Sequence, residues 1–346
     1  MQESRGDTVA VAGENESRRP SDRPLVVLLG ATGFVGSAVL RELAEQPLRV
    51  RAVARGQIPV PRDARAAVAA YRADLTEPGA MAAAVSDADV VIHTVAYIAG
   101  SSTWRIDEGD SAAERVNVGL MRDLINVFAG RGADAESPAV VFAGAASQVG
   151  PIDKAILDGS ETDEPKGEYD RQKLAAERLL LDADAQGILR GCSIRLPTVF
   201  GHGPNSTARD KGVIATMVRR ALSGEPLTMW HDGTVRRDLL YVEDAARALV
   251  AAVSHTAELA GRHWLLGTGR GEPLGEVFRT IAELTAVRVD KPAVPVVSVT
   301  PPAHAEAGDF RSIVIDSTAF QRVTGWQPRV PLAEALQRTV NALASQ

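Results

Sequence analysis

Residues 25–36 read LVVLLGATGFVG, and this stretch decides the fold. Its five leading apolar residues predict a buried β-strand, and the apolar spacing over residues 34–43 predicts a helix. The glycines between them are spaced G-x-x-G-x-x-G, which permits a tight turn and lets free amides at the helix start attract a pyrophosphate. The stretch therefore predicts dinucleotide binding by Gly30, Thr32, Gly33, Phe34, Val35 and Gly36.

Strand and helix patterns alternate from this turn to residue 196. Strands are predicted over residues 50–54, 89–92, 140–143 and 192–196, and helices over 81–85, 112–128 and 169–185. Parallel strands need crossover connections, which helices usually supply. The chain is therefore predicted to be an α/β protein with a Rossmann-type doubly wound parallel sheet.

The alternation loosens after Pro197, where glycine and proline precede a helix predicted over residues 213–223. Strand-like character returns at 237–242, and helices are predicted over 243–253 and 332–343, among proline-rich loops and short elements. We therefore expect a flexible tail of residues 1–23, followed by two domains. The dinucleotide-binding domain comprises 24–196 and 235–258, and a smaller, discontinuous C-terminal substrate-binding domain comprises 197–234 and 259–346.

Composition excludes several classes of protein. The net charge of -6 gives no support to a nucleic acid polymer or an anionic membrane as a partner. No apolar run approaches the roughly 20 residues of a membrane helix, so a cytoplasmic location is expected. The single Cys192 cannot form an internal disulfide, and no Cys/His cluster has zinc-like spacing, so no metal is expected. His93 follows an apolar run and is interpreted as a packed residue.

Tyr169 and Lys173 lie four residues apart in the sequence YDRQK. On a helix these positions share a face, so the ammonium can sit beside the phenol. A neighbouring positive charge favours the phenolate, which predicts a lowered Tyr169 pKa and a role in proton exchange. An ordinary surface pair on a helix is the alternative.

The end of the second strand suggests which cofactor is bound. A carboxylate there would favour the ribose diol of NAD, but the chain has Val53, Ala54 and Arg55. Arg55 could meet a 2'-phosphate, so NADPH is predicted, a solvated surface arginine being the alternative. Asp74 and Leu75 follow the presumed third strand and are predicted to approach the adenine ring, although Asp74 could equally be a loop or capping carboxylate.

Several motifs occur in a recognisable order. They are the glycine turn, Asp74-Leu75, Asn117, the Tyr169/Lys173 pair, RDLLYVED at 237–244 and TGWQP at 324–328. This order resembles the extended short-chain dehydrogenase/reductases over nearly all of the chain after the tail. More narrowly, Trp104, ERVN at 114–117, RLPT at 195–198 and MWHDG at 229–233 resemble the NDP-4-keto-6-deoxyhexose 4-ketoreductases of deoxysugar, including antibiotic, biosynthesis.

The resemblance implies roles for three residues. Tyr169 would donate a proton to the C4 oxygen of the sugar while NADPH supplies a hydride to C4. Lys173 would hold the nicotinamide ribose and tune the phenol. Asn117 would help to order the proton relay, an ordinary polar helix residue being the alternative.

One position departs from the family pattern. Members usually carry Ser or Thr shortly after the strand at 140–143, but Ala145 stands at that place here. Losing one preorganised donor to a developing oxyanion can cost about 10² to 10³ in rate. We hypothesise that Ser147 partly fills this role, a bound water being the alternative.

The substrate side is inferred from the same resemblance. Arg237 and Arg311 would contact the diphosphate of a nucleotide sugar, for which guanidinium geometry is suited, with surface ion pairing as the alternative. The sugar pocket would be lined by residues after the fourth strand, and an indole would stack near the base. The residues concerned are Ser102, Trp104 and Trp230. A homodimer formed through helices 112–128 and 169–185 is also expected.

Three other functions remain open from the sequence. A nucleotide-sugar 4-epimerase shares the Tyr/Lys pair but usually retains NAD, and Arg55 argues mildly against it. A 4,6-dehydratase would be expected to carry an acidic pair where Ala146 and Ser147 stand. A noncatalytic NADP-binding sensor is suggested only by Ala145.

Overall fold

The computed structural model describes residues 23–97, 106–131, 136–203, 206, 210–230, 232–301, 305 and 307–345. Its strands are β1 (Leu25–Leu29), β2 (Arg49–Ala54), β3 (Ala67–Arg72), β4 (Val90–His93), β5 (Ala139–Ala145), β6 (Ile156–Leu157), β7 (Arg190–Leu196), β8 (Thr198–Phe200), β9 (Leu227–Met229), β10 (Arg236–Arg237), β11 (Leu239–Tyr241), β12 (Arg262–Leu265), β13 (Glu272–Pro273), β14 (Val296–Ser298) and β15 (Val314–Ile315).

The helices are α1 (Phe34–Ala44), α2 (Ala80–Val85), α3 (Ser111–Glu114), α4 (Leu120–Ala129), α5 (Glu168–Ala185), α6 (Val213–Leu222), α7 (Val242–Val253), α8 (Thr256–Leu259), α9 (Leu274–Val289), α10 (Thr318–Thr324) and α11 (Leu332–Ala344). A π-helical turn, Arg115–Gly119, joins α3 to α4. Short 3₁₀ turns occupy Ala146–Val149 and Ala307–Phe310.

Seven strands form one parallel sheet in the order β3-β2-β1-β4-β5-β7-β12. Strand β1 is buried along its whole length, with alternate side chains in two hydrophobic clusters. Val26 and Leu28 join the cluster that contains α1 and α7, whereas Val27 and Leu29 join the one that contains α2, α4 and α5. Helices therefore cover both faces of the sheet, which confirms the predicted doubly wound fold.

The predicted elements of the first 200 residues agree with the structure to within about two residues at their ends. Later differences are larger. The segment predicted as a strand to residue 242 breaks at Asp238, and Val242 already begins α7. A 16-residue helix, α9, lies where only short elements were expected. Strand β12 pairs with β7 in the large sheet, although residues after 258 were assigned to the substrate-binding domain.

Four two-stranded ladders lie outside the large sheet: β8 with β11, β9 with β14, β6 with β15, and β10 with β13. Each contains only two or three residue pairs. Beside these ladders, the buried carboxylates of Asp238 and Asp244 hold separate chain segments together by hydrogen bonds. Asp238 accepts backbone N–H groups of Thr268, Gly269 and Ile315 at 2.8–3.1 Å. Asp244 accepts those of residues 329 and 330 at 2.7 and 3.0 Å.

Within the described part of the chain, no helix is long and apolar enough to cross a membrane.

Candidate active site

The glycine turn has the geometry that a dinucleotide requires. Gly30 has a φ of +91°, and its N–H and that of Ala31 both donate to the carbonyl of Val53 at 3.0 Å. A Cβ on Gly36 would lie 2.0 Å from the carbonyl oxygen of Gly30, so no side chain fits where α1 passes the end of β1. Gly33 is the N-cap of α1, whose first turn carries no carboxylate. The backbone amides and helix dipole therefore suit a pyrophosphate at this turn.

The carboxyl ends of β2 and β3 carry two exposed arginines side by side. Arg55 follows β2 directly, and Arg72, at the end of β3, donates from Nε to the Arg55 carbonyl at 2.8 Å. Sequence reasoning identified Arg55 but missed Arg72, because the pairing of Ala54 with Arg72 is set by the sheet register. The edge of the sheet beside the glycine turn is thus locally cationic in a protein of net negative charge.

The two residues expected near the adenine ring have local contacts in the structure. The carboxylate of Asp74 accepts the backbone N–H and hydroxyl of Thr76 at 3.0 and 2.7 Å, and these bonds hold the Asp74 pKa below its usual value. Leu75 is buried in the hydrophobic cluster beneath α2 and α4. Asp74 therefore closes its own loop, and its approach to the adenine ring stays a prediction.

Tyr169 and Lys173 both lie in the first two turns of α5. Lys173 is buried, and its Nζ donates to the carbonyl of Ala143 on β5 at 2.5 Å. The same nitrogen lies 4.1 Å from the ring centroid of Phe142, in a cation–π contact. Helix α5 thereby presents the pair at the carboxyl end of β5, two strands from β1 and at the sheet edge that carries the glycine turn.

The pKa values of this pair differ from the expectation drawn from its spacing. Burial, followed by the neighbouring Asp170 carboxylate, raises the pKa of Tyr169, where a lowered value was predicted. Burial also lowers the pKa of Lys173 to about 7, against a smaller upward effect of Glu177. The prediction was wrong because it counted the charge of Lys173 but not the partial loss of water around Tyr169, which is half-buried, or the neighbouring Asp170 carboxylate.

His93 lies behind Lys173 as a packed residue. It is buried at the end of β4, and its ring meets Phe142 edge-on with centroids 5.5 Å apart. Burial and the nearby Lys173 lower its pKa to about 3, so its imidazole is neutral at physiological pH. The sequence interpretation of His93 as a packed side chain agrees with this position.

Asn117 lies in the π-helical turn and is buried. Its side-chain oxygen accepts the N–H of Tyr97 at 2.7 Å, and its side-chain nitrogen donates to the Tyr97 carbonyl at 3.1 Å and to Gln172 at 2.9 Å. The side chain therefore connects the segment after β4 to the helix that carries Lys173. Single π-helical turns often mark functional sites, and this one turns Asn117 toward α5.

The polar contacts near Ala145 differ from the expected one, in which the Ser147 hydroxyl would face a reacting oxygen. The N–H of Ala145 donates to Oε1 of Gln148 at 2.7 Å. Ser147 is exposed, and its hydroxyl donates to the carboxylate of Asp170 at 2.6 Å. The proton that Ser147 would offer to a reacting oxygen is thus shared with the residue that follows Tyr169.

A buried polar cluster behind α5 was missed by sequence reasoning. Its centre is the ion pair between Arg195 and Glu177, with side chains 3% and 2% exposed and nitrogen and oxygen 2.5 Å apart. The signal available in the sequence was the position of Glu177, four residues after Lys173 on the same helical face. The other members come from three separate segments of the chain: Gln148, Asp163 and Ser193.

The residues assigned to the substrate occupy less uniform surroundings. Arg237 is half-buried and donates to the backbone carbonyls of Arg311 and Asp309, the latter at 2.9 Å. Arg311 donates to the carbonyl of Ile152 and lies 3.4 Å from the Asp153 carboxylate. The structure thus places Arg237 and Arg311 next to each other. Trp230 is half-buried directly after β9, and Ser102 and Trp104 lie outside the described residues.

Together, the parallel sheet and the glycine turn define a dinucleotide-binding α/β fold, and the Tyr/Lys pair lies at its carboxyl edge. Residues 26–267 match the model of the NAD dependent epimerase/dehydratase family. This chain belongs to that family of NAD-dependent enzymes.

Comparison with individual proteins gives the same class. A UDP-glucose 4-epimerase from Mycolicibacterium smegmatis is 30% identical over 182 residues, 51% of this chain and 52% of the relative. UDP-glucuronic acid decarboxylase 5 from Arabidopsis thaliana is 29% identical over 171 residues, 49% and 45% of the two chains. This chain therefore spans about half the length of these curated relatives.

Solved structures match over more of the chain. MoeE5 in complex with UDP-glucose and NAD is 28% identical, with a TM-score of 0.75 over 93% of this chain and 99% of that one. The structure of RMD from Pseudomonas aeruginosa complexed with NADPH is 21% identical, with a TM-score of 0.73 over 93% and 100% of the two chains. The second similarity shows a shared fold.

Proposed function

We propose that this protein uses NADPH to reduce the C4 ketone of an NDP-4-keto-6-deoxyhexose, such as a dTDP sugar, to the alcohol. The observation that carries the proposal is the position of Tyr169 and Lys173 on one face of α5, at the carboxyl end of β5. Burial and the Asp170 carboxylate both favour the neutral phenol of Tyr169. A neutral phenol is a proton donor, which the reduction of a ketone requires, whereas an enzyme that first oxidises an alcohol needs a base.

The proposed proton donation depends on the residues around Tyr169. The partly exposed phenol lies in the first turn of α5 and can meet a ligand at the carboxyl edge of the sheet. Lys173, fixed by the Ala143 carbonyl and the Phe142 ring, would place its positive charge beside the phenol as the proton leaves. Its ammonium would stabilise the phenolate formed and so lower the barrier to transfer.

The cofactor proposal rests on the cationic edge formed by Arg55 and Arg72. Their guanidinium groups suit a 2'-phosphate, and no carboxylate at the end of β2 favours a ribose diol. The glycine turn and the open start of α1 would hold the pyrophosphate. When bound, NADPH supplies the hydride for the ketone carbon. RMD, which shares the fold, was solved with NADPH, whereas MoeE5 was solved with NAD.

The substrate proposal rests on the adjacent Arg237 and Arg311. Burial lowers the pKa of Arg237, which indicates a poorly hydrated cation, and such a group gains most from a phosphate. MoeE5 was solved with UDP-glucose, a nucleotide sugar of the class proposed here. The diphosphate would therefore lie between the 3₁₀ turn Ala307–Phe310 and strand β10.

The missing hydroxyl at Ala145 shifts more of the carbonyl activation to Tyr169. We keep Ser147 as a partial substitute, provided that its hydroxyl turns from Asp170 to the substrate. On this hypothesis Ser147→Ala lowers turnover and Ala145→Ser raises it. Unchanged turnover in Ser147→Ala together with a gain in Ala145→Ser would show that Ser147 has no such role.

A nucleotide-sugar 4-epimerase is the second candidate, because the 30% identical relative is a UDP-glucose 4-epimerase. One assay separates the candidates. Purified protein is mixed with NADPH and dTDP-4-keto-6-deoxyglucose, NADPH oxidation is followed by absorbance, and the sugar product is identified by mass spectrometry and NMR. Stoichiometric NADPH loss with a 4-hydroxy product supports the reductase. A parallel mixture with UDP-glucose or a 4-hydroxy dTDP sugar tests the epimerase, which a C4 epimer formed without net cofactor loss would select. Tight NADPH binding without turnover in either mixture would select the sensor.

A further inference from the structure

The buried cluster behind α5 connects four segments of the chain near the Tyr169/Lys173 pair. Oε2 of Glu177 accepts the Ser193 hydroxyl at 2.5 Å, and Nε2 of Gln148 at 3.1 Å. Arg195 donates to both Glu177 oxygens, at 3.1 Å from Nε and 2.5 Å from Nη2. Arg195 also makes two parallel bonds to Asp163, at 2.7 and 2.6 Å. These bonds join α5, β7, the 3₁₀ turn and the segment that leads into α5.

The backbone is shaped to admit this cluster. A Cβ on Gly144 would lie 2.6 Å from the Ser193 hydroxyl and 3.0 Å from Oε1 of Gln148. Gln148 is fully buried, and it holds Glu177 with one end of its amide and the N–H of Ala145 with the other. The end of β5, where Ala145 stands, is therefore fixed relative to α5 through Glu177.

The charges of the cluster do not cancel. Arg195 carries one positive charge against the carboxylates of Glu177 and Asp163, and His263 lies 3.9 Å from Glu177 with a pKa lowered by burial. The side next to α5 is thus net negative. Lys173 lies one helical turn from Glu177. Of the other titratable groups on and behind this part of α5, His93 and Tyr169 are neutral, and the Asp170 carboxylate accepts the Ser147 hydroxyl at the exposed start of the helix.

We propose that Glu177 is a positioning residue for the Tyr169/Lys173 pair. Held by Ser193, Gln148 and Arg195, its buried carboxylate supplies the charge that keeps Lys173 a cation beside Tyr169. Asp163 contributes to the same end by neutralising Arg195, which would otherwise cancel the effect of Glu177. Lys173 has left water for a carbonyl and an aromatic ring, so a nearby buried anion is the group that can retain its proton.

The titration of Lys173 can be measured directly because the chain has only five lysines. The ligand-free protein is labelled with lysine carrying ¹³C at Cε, and the shifts are followed by NMR against pH, with Lys173→Met identifying its signal. In the native protein Lys173 should titrate near neutral pH, well below the ordinary value of about 10.4. In Glu177→Gln its midpoint should fall by about one further pH unit, a tenfold loss of the ammonium fraction above the midpoint.

Ser193→Ala is the matched control, because it removes a hydrogen bond to the same carboxylate and keeps the charge. Its Lys173 midpoint should stay within about 0.3 pH units of the native one, a shift below about 0.4 kcal/mol. A native midpoint in Glu177→Gln, or an equal shift in Ser193→Ala, would show that the cluster is structural only. If Glu177→Gln does not fold, Asp163→Asn serves, since Asp163 is half-buried outside regular structure. A smaller fall in the midpoint is then expected, and no fall overturns the proposal.

The role of Glu177 rests on the proposed reduction only for its effect on activity, so the two proposals can fail separately. If the protein reduces the keto sugar, activity in Glu177→Gln should decline at a lower pH than in the native enzyme, by the same shift as the lysine signal. A shifted lysine signal in a protein that never oxidises NADPH supports the role of Glu177 and rejects the reductase.

Discussion

In the large sheet region, the buried polar side chains of Lys173, Asn117 and Glu177 lie on or against helix α5. Lys173 and Glu177 belong to α5, and Asn117 bonds to Gln172 of the same helix. In the region of the four small ladders, by contrast, Asp238 and Asp244 accept backbone N–H groups from segments 30 to 86 residues away. The same type of buried group thus lies at the candidate active site in one region and holds distant chain segments together in the other. Sequence motifs that contain such residues do not by themselves distinguish the two uses.

The motif RDLLYVED is an example, because the sequence grouped it with the functional motifs although two of its residues stabilise the fold. Its Asp238 and Asp244 fix the loop after β12 and the chain at 329–330. The TGWQP motif belongs to the same arrangement, since Nε1 of Trp326 donates to the Asp244 carbonyl at 3.0 Å. Only Arg237 of that motif remains a candidate for ligand binding.

The largest expected effect is that of Tyr169→Phe, which tests the sheet region alone. Removing the phenolic hydroxyl removes the proton donor, so ketone reduction should fall by about 10² to 10⁴. Steady-state NADPH oxidation measures the loss. The NADPH Kd, from fluorescence titration, and the unfolding midpoint should stay close to native. A large fall in stability would mean that Tyr169, like Asp238 and Asp244, mainly stabilises the fold.

Asp244→Ala tests the other region and should affect stability before activity. It leaves two backbone N–H groups and the Arg247 guanidinium without their acceptor, at a cost of about 3 kcal/mol. Urea unfolding gives the free energy. The neighbouring Glu243→Gln is the control, because its ion pairs with Arg41 and Arg338 lie at the surface and contribute less than about 1 kcal/mol. Equal losses in both variants would contradict this role of Asp244 in stabilising the fold.

Asp210 should make the stability of the region outside the large sheet depend on pH. It is buried outside the sheet, accepts the Gly212 N–H at 2.7 Å, and burial raises its pKa to about 6. Since the folded pKa exceeds the unfolded one, the group destabilises the fold as pH rises from about 4 to 6. Asp210→Asn should therefore stabilise the protein by about 2 kcal/mol at pH 8 and by little at pH 4.

Urea unfolding at both pH values measures the Asp210 effect, with the exposed Asp63→Asn as the control. The stabilisation should vanish at low pH for Asp210→Asn and be absent throughout for Asp63→Asn. A pH-independent gain would assign the effect to hydrogen bonding and not to the burial of a charge.

Arg55→Ala should have the smallest effect. Because the exposed guanidinium would meet only the 2'-phosphate, KM for NADPH should rise about tenfold, or about 1.4 kcal/mol, with KM for NADH unchanged. Arg65→Ala, an exposed arginine before the opposite end of β3, is the control. Equal changes for the two cofactors would remove the basis for preferring NADPH.

The sequence was informative where a signal is local. The glycine turn, the strands to residue 196 and the spacing of Tyr169 and Lys173 all depend on neighbours in sequence, and the fold predicted from them is confirmed. What it could not supply depends on distant segments. Arg72 comes beside Arg55 through strand register, Glu177 meets Arg195 across α5 and β7, and β12 joins the sheet at its far edge. The Tyr169 pKa was mispredicted for the same reason, since burial is a property of the whole fold.

The π-helical turn at Arg115–Gly119 has a consequence for tolerance to deletions. A π-helical turn contains one residue more than an α-helical turn, so removing one residue from it would leave α3 and α4 in nearly the same relative direction but change which side chains of the turn face α5. The shortened segment would form an unbroken α-helix of greater intrinsic regularity. Asn117 would then turn away from Tyr97 and Gln172, with which it now bonds. The contacts of Asn117 thus depend on the extra residue of the π-helical turn. A single-codon deletion there would make the helix more regular and would break those contacts.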